Sequence, residues 1–232
     1  MLTLDFGTVL NGVAQLAGLD RDNLPTHFFK QVRDLANRRL AIAYTSAPWP
    51  DLVRVVNLTT ATSDKFTMTS TMGDVIEVYQ KDPLLTTEAI PQSYRLYGDG
   101  TNRFIYTRGG QTSVYVEYRE ARIDLTGDVW VAGTYFYNAQ AYYSAPDVWV
   151  AGSFYSTPTI TAANPPSSPW VEIKIPNRFM GYLTQGIYTD YLTANGTPNP
   201  LEEQKAEGLL SIELDSLHRE QGQVRKPKVS TY

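Results

Sequence analysis

A duplication constrains this chain more than any other feature. Asp128-Val-Trp-Val-Ala-Gly133 recurs nineteen residues later as Asp147-Val-Trp-Val-Ala-Gly152, and an aromatic pair follows each copy, Tyr135-Phe136 and Phe154-Tyr155. Alternating β-branched and aromatic residues closed by a glycine read as a strand, a turn and a returning strand. Val129 and Val131 are expected on one side of the first strand with Trp130 on the other, and Val148, Val150 and Trp149 repeat that arrangement. The segment closes on Pro165-Pro166-Ser-Ser-Pro169-Trp170, a stiff stretch leading into a strand over residues 171–175. Residues 121–175 are therefore expected to form a small β insert. Trp130, Trp149, Trp170, Tyr135 and Phe154 are its candidate core, or its contact with a neighbouring subunit, since large aromatics dominate both settings.

The helical period dominates both ends of the chain. Over residues 25–44 the apolar positions are Phe28, Val32, Leu35, Ala36, Leu40 and Ala43, with Lys30, Arg33, Asp34, Arg38 and Arg39 largely on other faces. A shorter helix is expected over residues 8–17, ended by Gly18, and Ala47-Pro48-Trp49-Pro50 stops the second. Beyond Pro176, Asn177 reads as an N-cap for Phe179, Leu183, Ile187 and Tyr191, with Gly196 ending that helix. A last helix starts at Asn199-Pro200, with Glu202 close to a capping-box position and Ala206, Leu210, Leu214 and Leu217 on its apolar face. Its early acids and late His218 and Arg219 suit the helix dipole, and Gly222 is expected to end it. The two helices should pack as an αα-hairpin.

Between the helical ends the period falls to two. Phe66, Met68, Ser70 and Met72 alternate with threonines, Val75-Ile76-Glu77-Val78-Tyr79 follows, and residues 94–97, 103–107 and 112–118 read as a three-stranded meander with glycine turns. The expected class is α+β: N- and C-terminal helices forming a helical core, a central antiparallel β region and the small duplicated insert. The expected divisions are an N-terminal helical part over residues 1–64, a β-meander over 65–120, the insert over 121–175, a helical hairpin over 176–222 and an extended arm over 223–232. That arm carries Val224, Arg225, Lys226, Lys228, Val229 and Tyr232 and no acid.

Composition narrows the chemistry. With no Cys there is no disulfide frame, thiolate nucleophile or thiolate metal site. The two histidines, His27 and His218, sit in helical segments without H-x-x-x-H or H-x-H spacing, and no phosphate loop of the G-x-G-x-x-G or Walker type occurs. A glycosidase pair has no sequence signature; Asp128 and Asp147 are its candidates, and each opens a strand where a turn residue is expected. No catalytic set, metal site or cofactor is expected, and the chain reads as no enzyme. A formal charge of -4, from 20 Lys+Arg against 24 Asp+Glu, argues against a protein built chiefly to grip phosphate backbones. The N-terminal residues lack the basic region of a signal peptide, and no stretch approaches the roughly 18 to 20 apolar residues of a membrane span.

The order of these elements resembles the head–tail adaptor (head-completion or neck) proteins of tailed bacteriophages. The resemblance rests on Val13-Ala14-Gln15-Leu16-Ala17-Gly18-Leu19 followed by a helix and Trp49-Pro50, and on the strand Val114-Tyr115-Val116-Glu117-Tyr118-Arg119. It rests also on the repeat, and most strongly on the run from Tyr188 through Glu202-Glu203-Gln204-Lys205-Ala206-Glu207-Gly208 to Gln221-Gly-Gln223 and its basic tail. The resemblance implies a virion protein forming a ring of about twelve copies beneath the portal. It implies an arm docked on the portal protein, a tail, stopper or nozzle protein below, and genomic DNA passing non-specifically through the lumen. Assembly would take place in the host cytoplasm. The alternative expectation is a virion tail or neck component whose β module stacks host glycans on Trp130, Trp149 and Trp170.

Overall fold

The computed structural model describes residues 3–60, 62–129, 147–150, 152–157 and 163–223. The fold is α+β. Its helices are α1 (Phe6–Leu16), α2 (Thr26–Ser46), α3 (Met180–Ala194) and α4 (Pro200–Gln223). Its strands are β1 (Val53–Thr59), β2 (Lys65–Thr67), β3 (Met72–Tyr79), β4 (Arg95–Gly98), β5 (Arg103–Tyr106), β6 (Ser113–Glu120), β7 (Asp128–Val129), β8 (Asp147–Val150), β9 (Ser153–Ser156) and β10 (Val171–Glu172). The chain divides into two compact units, one of Met1–Ala47 with Ile123–Tyr232 and one of Pro48–Arg122. No helix among the described residues is long and apolar enough to cross a membrane.

In the first unit, helices from both ends of the chain share one core. Phe6, Val9, Leu10 and Val13 of α1, Phe28, Val32, Ala36 and Leu40 of α2, and Leu183 and Ile187 of α3 are buried. Asp5 caps α1, its carboxylate accepting from the Gly7 N–H (2.9 Å) and the Thr8 hydroxyl (3.2 Å). Gly18 ends it at φ 70° with the Leu19 N–H returned to the Ala14 carbonyl, the left-handed stop its sequence called for. Where α1 meets α3, a Cβ on Gly12 would lie 2.8 Å from Thr184 Cγ2, so this glycine sets how closely the two helices approach. The Phe28 and Tyr191 rings meet edge-on at 5.6 Å, joining α2 to α3.

Two of the expected caps differ. Pro176 holds ψ at 130°, so helical dihedrals begin at Asn177, which becomes the first residue of a 3-10 turn over Asn177–Phe179 instead of an N-cap. Asn199 does cap α4, accepting from the Leu201 N–H at 3.1 Å. Glu202 does not complete a capping box: its carboxylate accepts from Gln185 and Lys205, both at 2.7 Å, which turns it towards α3. The last helix also runs through Gly222 to Gln223.

The insert belongs to this helical unit and forms a four-stranded sheet of order β10-β9-β8-β7. The second copy of the repeat is the expected hairpin, β8 turning through Gly152 into β9. The two copies pair in parallel and one residue out of step, Asp128 opposite Val148 and Val129 opposite Trp149. A one-residue slip reverses which face each side chain takes. Val148 is accordingly buried, whereas its counterpart Val129 is 40% exposed. Trp130 and Val131, on which the alternation expected of the first copy depends, lie outside the described residues. Asp147, 2% exposed, accepts from the Thr126 N–H (2.8 Å), the Thr126 hydroxyl and the Gly127 N–H (2.5 Å). Asp128 instead reaches Lys30 at 2.9 Å. A repeated sequence has been put to two uses.

The second unit is two three-stranded sheets, β1-β6-β3 and β2-β5-β4, around Leu58, Phe66, Met68, Met72, Val78, Ile105, Val114, Val116 and Tyr118. Here the expected meander is corrected. β4 and β5 form a hairpin, but β5 pairs next with β2, and β6 leaves to lie between β1 and β3. β1 falls inside residues expected as helical; Val53, Val55 and Val56 are β-branched, the signal that marks it as a strand. The alternating run over residues 66–72 breaks after Thr67 into a turn, with Met68 and Met72 still buried. Asp64 locks this unit. At φ 67° it directs its carboxylate to the N–H groups of Gly110 (2.8 Å) and Gln111 (2.9 Å) and to the Thr107 hydroxyl (3.1 Å), and these bonds hold its carboxyl below the ordinary value.

Candidate interaction surfaces

The aromatic residues singled out from the repeat are used in packing wherever they are described. Phe154 is 2% exposed and meets Phe6 edge-on at 5.2 Å and Phe29 at 6.2 Å. Trp149 lies against Phe29, ring centres 5.2 Å apart, and its indole N–H has no hydrogen-bond partner among the described residues. Trp170 is buried and donates from Nε1 to the Ala163 carbonyl at 2.7 Å. The Phe154 and Trp170 rings therefore leave no open face on which a sugar would stack. Trp130 and Tyr135 lie outside the described residues, as do Val224, Arg225, Lys226, Lys228, Val229 and Tyr232 of the arm.

The helical hairpin is held by a buried cation. Arg39 of α2, 5% exposed, donates from Nε and Nη2 to the two Asp190 oxygens (2.8 and 2.7 Å) and from Nη1 and Nη2 to the two Glu203 oxygens (3.0 and 2.8 Å). A guanidinium is a planar fork matched to such bidentate pairing, and here one fork serves two carboxylates on α3 and α4. Burial alone would lower its pKa; the bonds to Glu203 and Asp190 outweigh that and raise it. Glu203, hydrogen-bonded to Arg39, is held below the ordinary glutamate value despite partial burial. Gly186 makes room for the arrangement, since a Cβ there would stand 2.9 Å from Arg39 Cδ. Beside it a cleft of about 350 Å³ is lined by Arg38, Ile42, Thr193 and Pro198 as well as the ion cluster. All the cluster's hydrogen bonds run between helices of the same unit, which is the signature of a structural lock.

The exposed apolar residues are more informative. The loop over residues 80–92, between β3 and β4, carries Leu84 at 74%, Leu85 at 85% and Ile90 at 77% exposure. It is braced from within. Asp82 accepts from the Leu84 N–H through its side chain (2.8 Å) and from Leu85 and Thr86 through its carbonyl (3.2 and 3.1 Å), and Lys81 pairs with Glu88 at 3.1 Å. At its base the side-chain amides of Gln92 and Gln111 exchange bonds of 2.9 and 2.8 Å. These bonds shape the loop's turns, and the loop holds three aliphatic side chains in water. Covering each would contribute about 1.5 to 3 kcal/mol.

A second set lies on α4. Ala206 and Leu217 are buried, while Leu201 (67% exposed) and Ile212 (61%) lie on the other side of the helix, and Leu209 lies between the two sides, near Gly181 of α3. Residue spacing already placed the buried stripe. The exposed pair was missed, although Leu201 and Ile212 are off that stripe in the sequence. Leu84 and Leu85 were passed over because a loop has no period; their signal is an aliphatic pair between Pro83 and Pro91 with no strand or helix to claim it.

Among the described residues no three His, Asp or Glu side chains converge as a metal site requires. These features define a two-unit α+β protein with an ion-locked helical core and preorganised apolar surface. Compared with protein-family models and with curated proteins, the chain matches none.

Proposed function

We propose that this protein is a structural adaptor of the head–tail junction of a tailed bacteriophage. Copies form a ring beneath the portal, the arm over residues 224–232 docks on the portal protein, a tail or stopper protein binds below, and the genome passes through the lumen. The observation that carries the reading is the braced loop holding Leu84, Leu85 and Ile90 in water. Exposed apolar side chains gathered on one loop contribute most when a neighbouring subunit covers them, and a ring needs a surface of this kind that meets a different surface on the next copy. Leu201 and Ile212 on the outer side of α4 are a second such surface. Helices from both chain ends in one locked core also fit a protein that must transmit load without unfolding.

The double substitution L84D/L85D tests this. Both side chains are exposed, so the purified variant should melt within about 0.5 kcal/mol of the parent. Analytical ultracentrifugation should show assembly lost, and filled heads made without the protein should not be completed by the variant. A variant that assembles and completes heads like the parent would remove the loop from the interface. Truncation after Gln223 separates the arm's role: it should leave ring formation intact and abolish attachment to portal-bearing heads.

A further inference from the structure

The outer face of the sheet β2-β5-β4 carries chemistry that the adaptor reading does not use. The register places Lys65, Tyr106 and Arg95 in one row across the three strands, and Thr67, Phe104 and Tyr97 in the next. Side chains alternate along a strand, so these six share a face, and Phe66, Ile105 and Leu96 share the other. Phe66 and Ile105 are fully buried, which identifies the second set as the core side. On the outer side Tyr97 is 51% exposed, its ring edge-on to Tyr106 at 5.2 Å. Lys65 Nζ sits 4.2 Å from the centre of the Phe104 ring and 5.9 Å from that of Tyr106. Arg95 is exposed on the edge strand, 3.5 Å from the Tyr97 hydroxyl.

Two cations and three aromatic rings thus share six positions without one carboxylate, in a chain whose net charge is -4. The nearest acids in sequence are committed elsewhere: Asp64 to the Gly110 and Gln111 N–H groups, and Asp99 to those of Thr101 and Asn102. We propose that this face binds single-stranded nucleic acid, with Lys65 and Arg95 on the phosphates and Tyr97 and Tyr106 stacking unpaired bases. Charge complementarity selects a polyanion. The rings select among polyanions, because a duplex hides its base faces in its own stack and an acidic peptide has none to offer. A neutral sugar would cover the rings and leave both cations unpaired. The proposal is independent of the adaptor reading and is tested on the full chain without any particle.

Fluorescence anisotropy with a labelled oligothymidylate measures it. The chain should bind the single strand in preference to a duplex of the same length. Tyr97→Ala should weaken binding about tenfold, in line with the loss of one stacked base. Two phosphate contacts give a log–log salt slope of about -1.4, and Arg95→Gln should reduce it by about 0.7. Residues 95 and 97 lie on an edge strand with exposed side chains, and thermal melts of each variant confirm that the fold is retained. Each of four results would overturn the proposal: no binding, equal binding of duplex, binding unchanged by Tyr97→Ala and Arg95→Gln in folded protein, or salt-independent binding of a neutral oligosaccharide at this face.

Discussion

Replacing Arg39 by methionine is expected to destabilise the helical unit by about 3 to 5 kcal/mol, the cost of leaving buried charge without its partner. Methionine keeps much of the volume, so the loss is electrostatic. The Asp190 and Glu203 carboxylates, with side chains 12% and 37% exposed, would face each other with no cation between them. Urea denaturation followed by circular dichroism measures the effect, and a change below 1 kcal/mol would contradict the lock. The same cluster sets a pH dependence. Glu203 has its folded-state pKa depressed, so its contribution is fully present above the unfolded value, about 4.3, and is lost as pH falls through the folded value. The parent should therefore weaken on acidification below about pH 4, and R39M should lack the Glu203 part of that loss.

Gly152→Ala is the second large effect. Gly152 has φ 92°, and a Cβ there would lie 2.0 Å from Asp5 Oδ1, the oxygen that caps α1. Its carbonyl also accepts from the Gly7 N–H at 3.2 Å, so the turn of the repeat is seated on the helix N-terminus. Backbone strain and overpacking of about 1 to 3 kcal/mol each predict a total loss of about 2 to 6 kcal/mol. Gly196→Ala is the control. At φ 76° it carries the strain, but nothing lies within 4 Å, so only about 1 to 2 kcal/mol should be lost. Equal melting of the two variants would show that Gly152 is not held against α1.

What the sequence made legible follows its periodicities. The stripes of α2 and α3, the stop at Gly18 and the hairpin at Gly152 were all readable, because each is a local contest between helix, strand and turn chemistry. Pairing was not readable. Whether β6 follows β5 in a meander or inserts between β1 and β3 depends on which faces bury Val114 and Val116, a non-local outcome. The parallel, one-residue offset of the repeat is of the same kind. Identical strings gave no hint that Asp147 would be buried on Thr126 and Gly127 while Asp128 reached Lys30. The Arg39 cluster was hidden for a simpler reason: its members are 151 and 164 residues apart in the chain. The Lys65, Arg95, Tyr97, Phe104 and Tyr106 face was written at period two in three separate strands, and only their register brings it together.

The central claim is that this chain builds a ring at the head–tail junction. Single-particle imaging of the assembled protein in the virion tests it most directly. The account predicts a closed ring against the portal, with Leu84, Leu85 and Ile90 buried between neighbouring copies. A lone subunit, a position at the distal tail, or a ring in which that loop still faces water would contradict it.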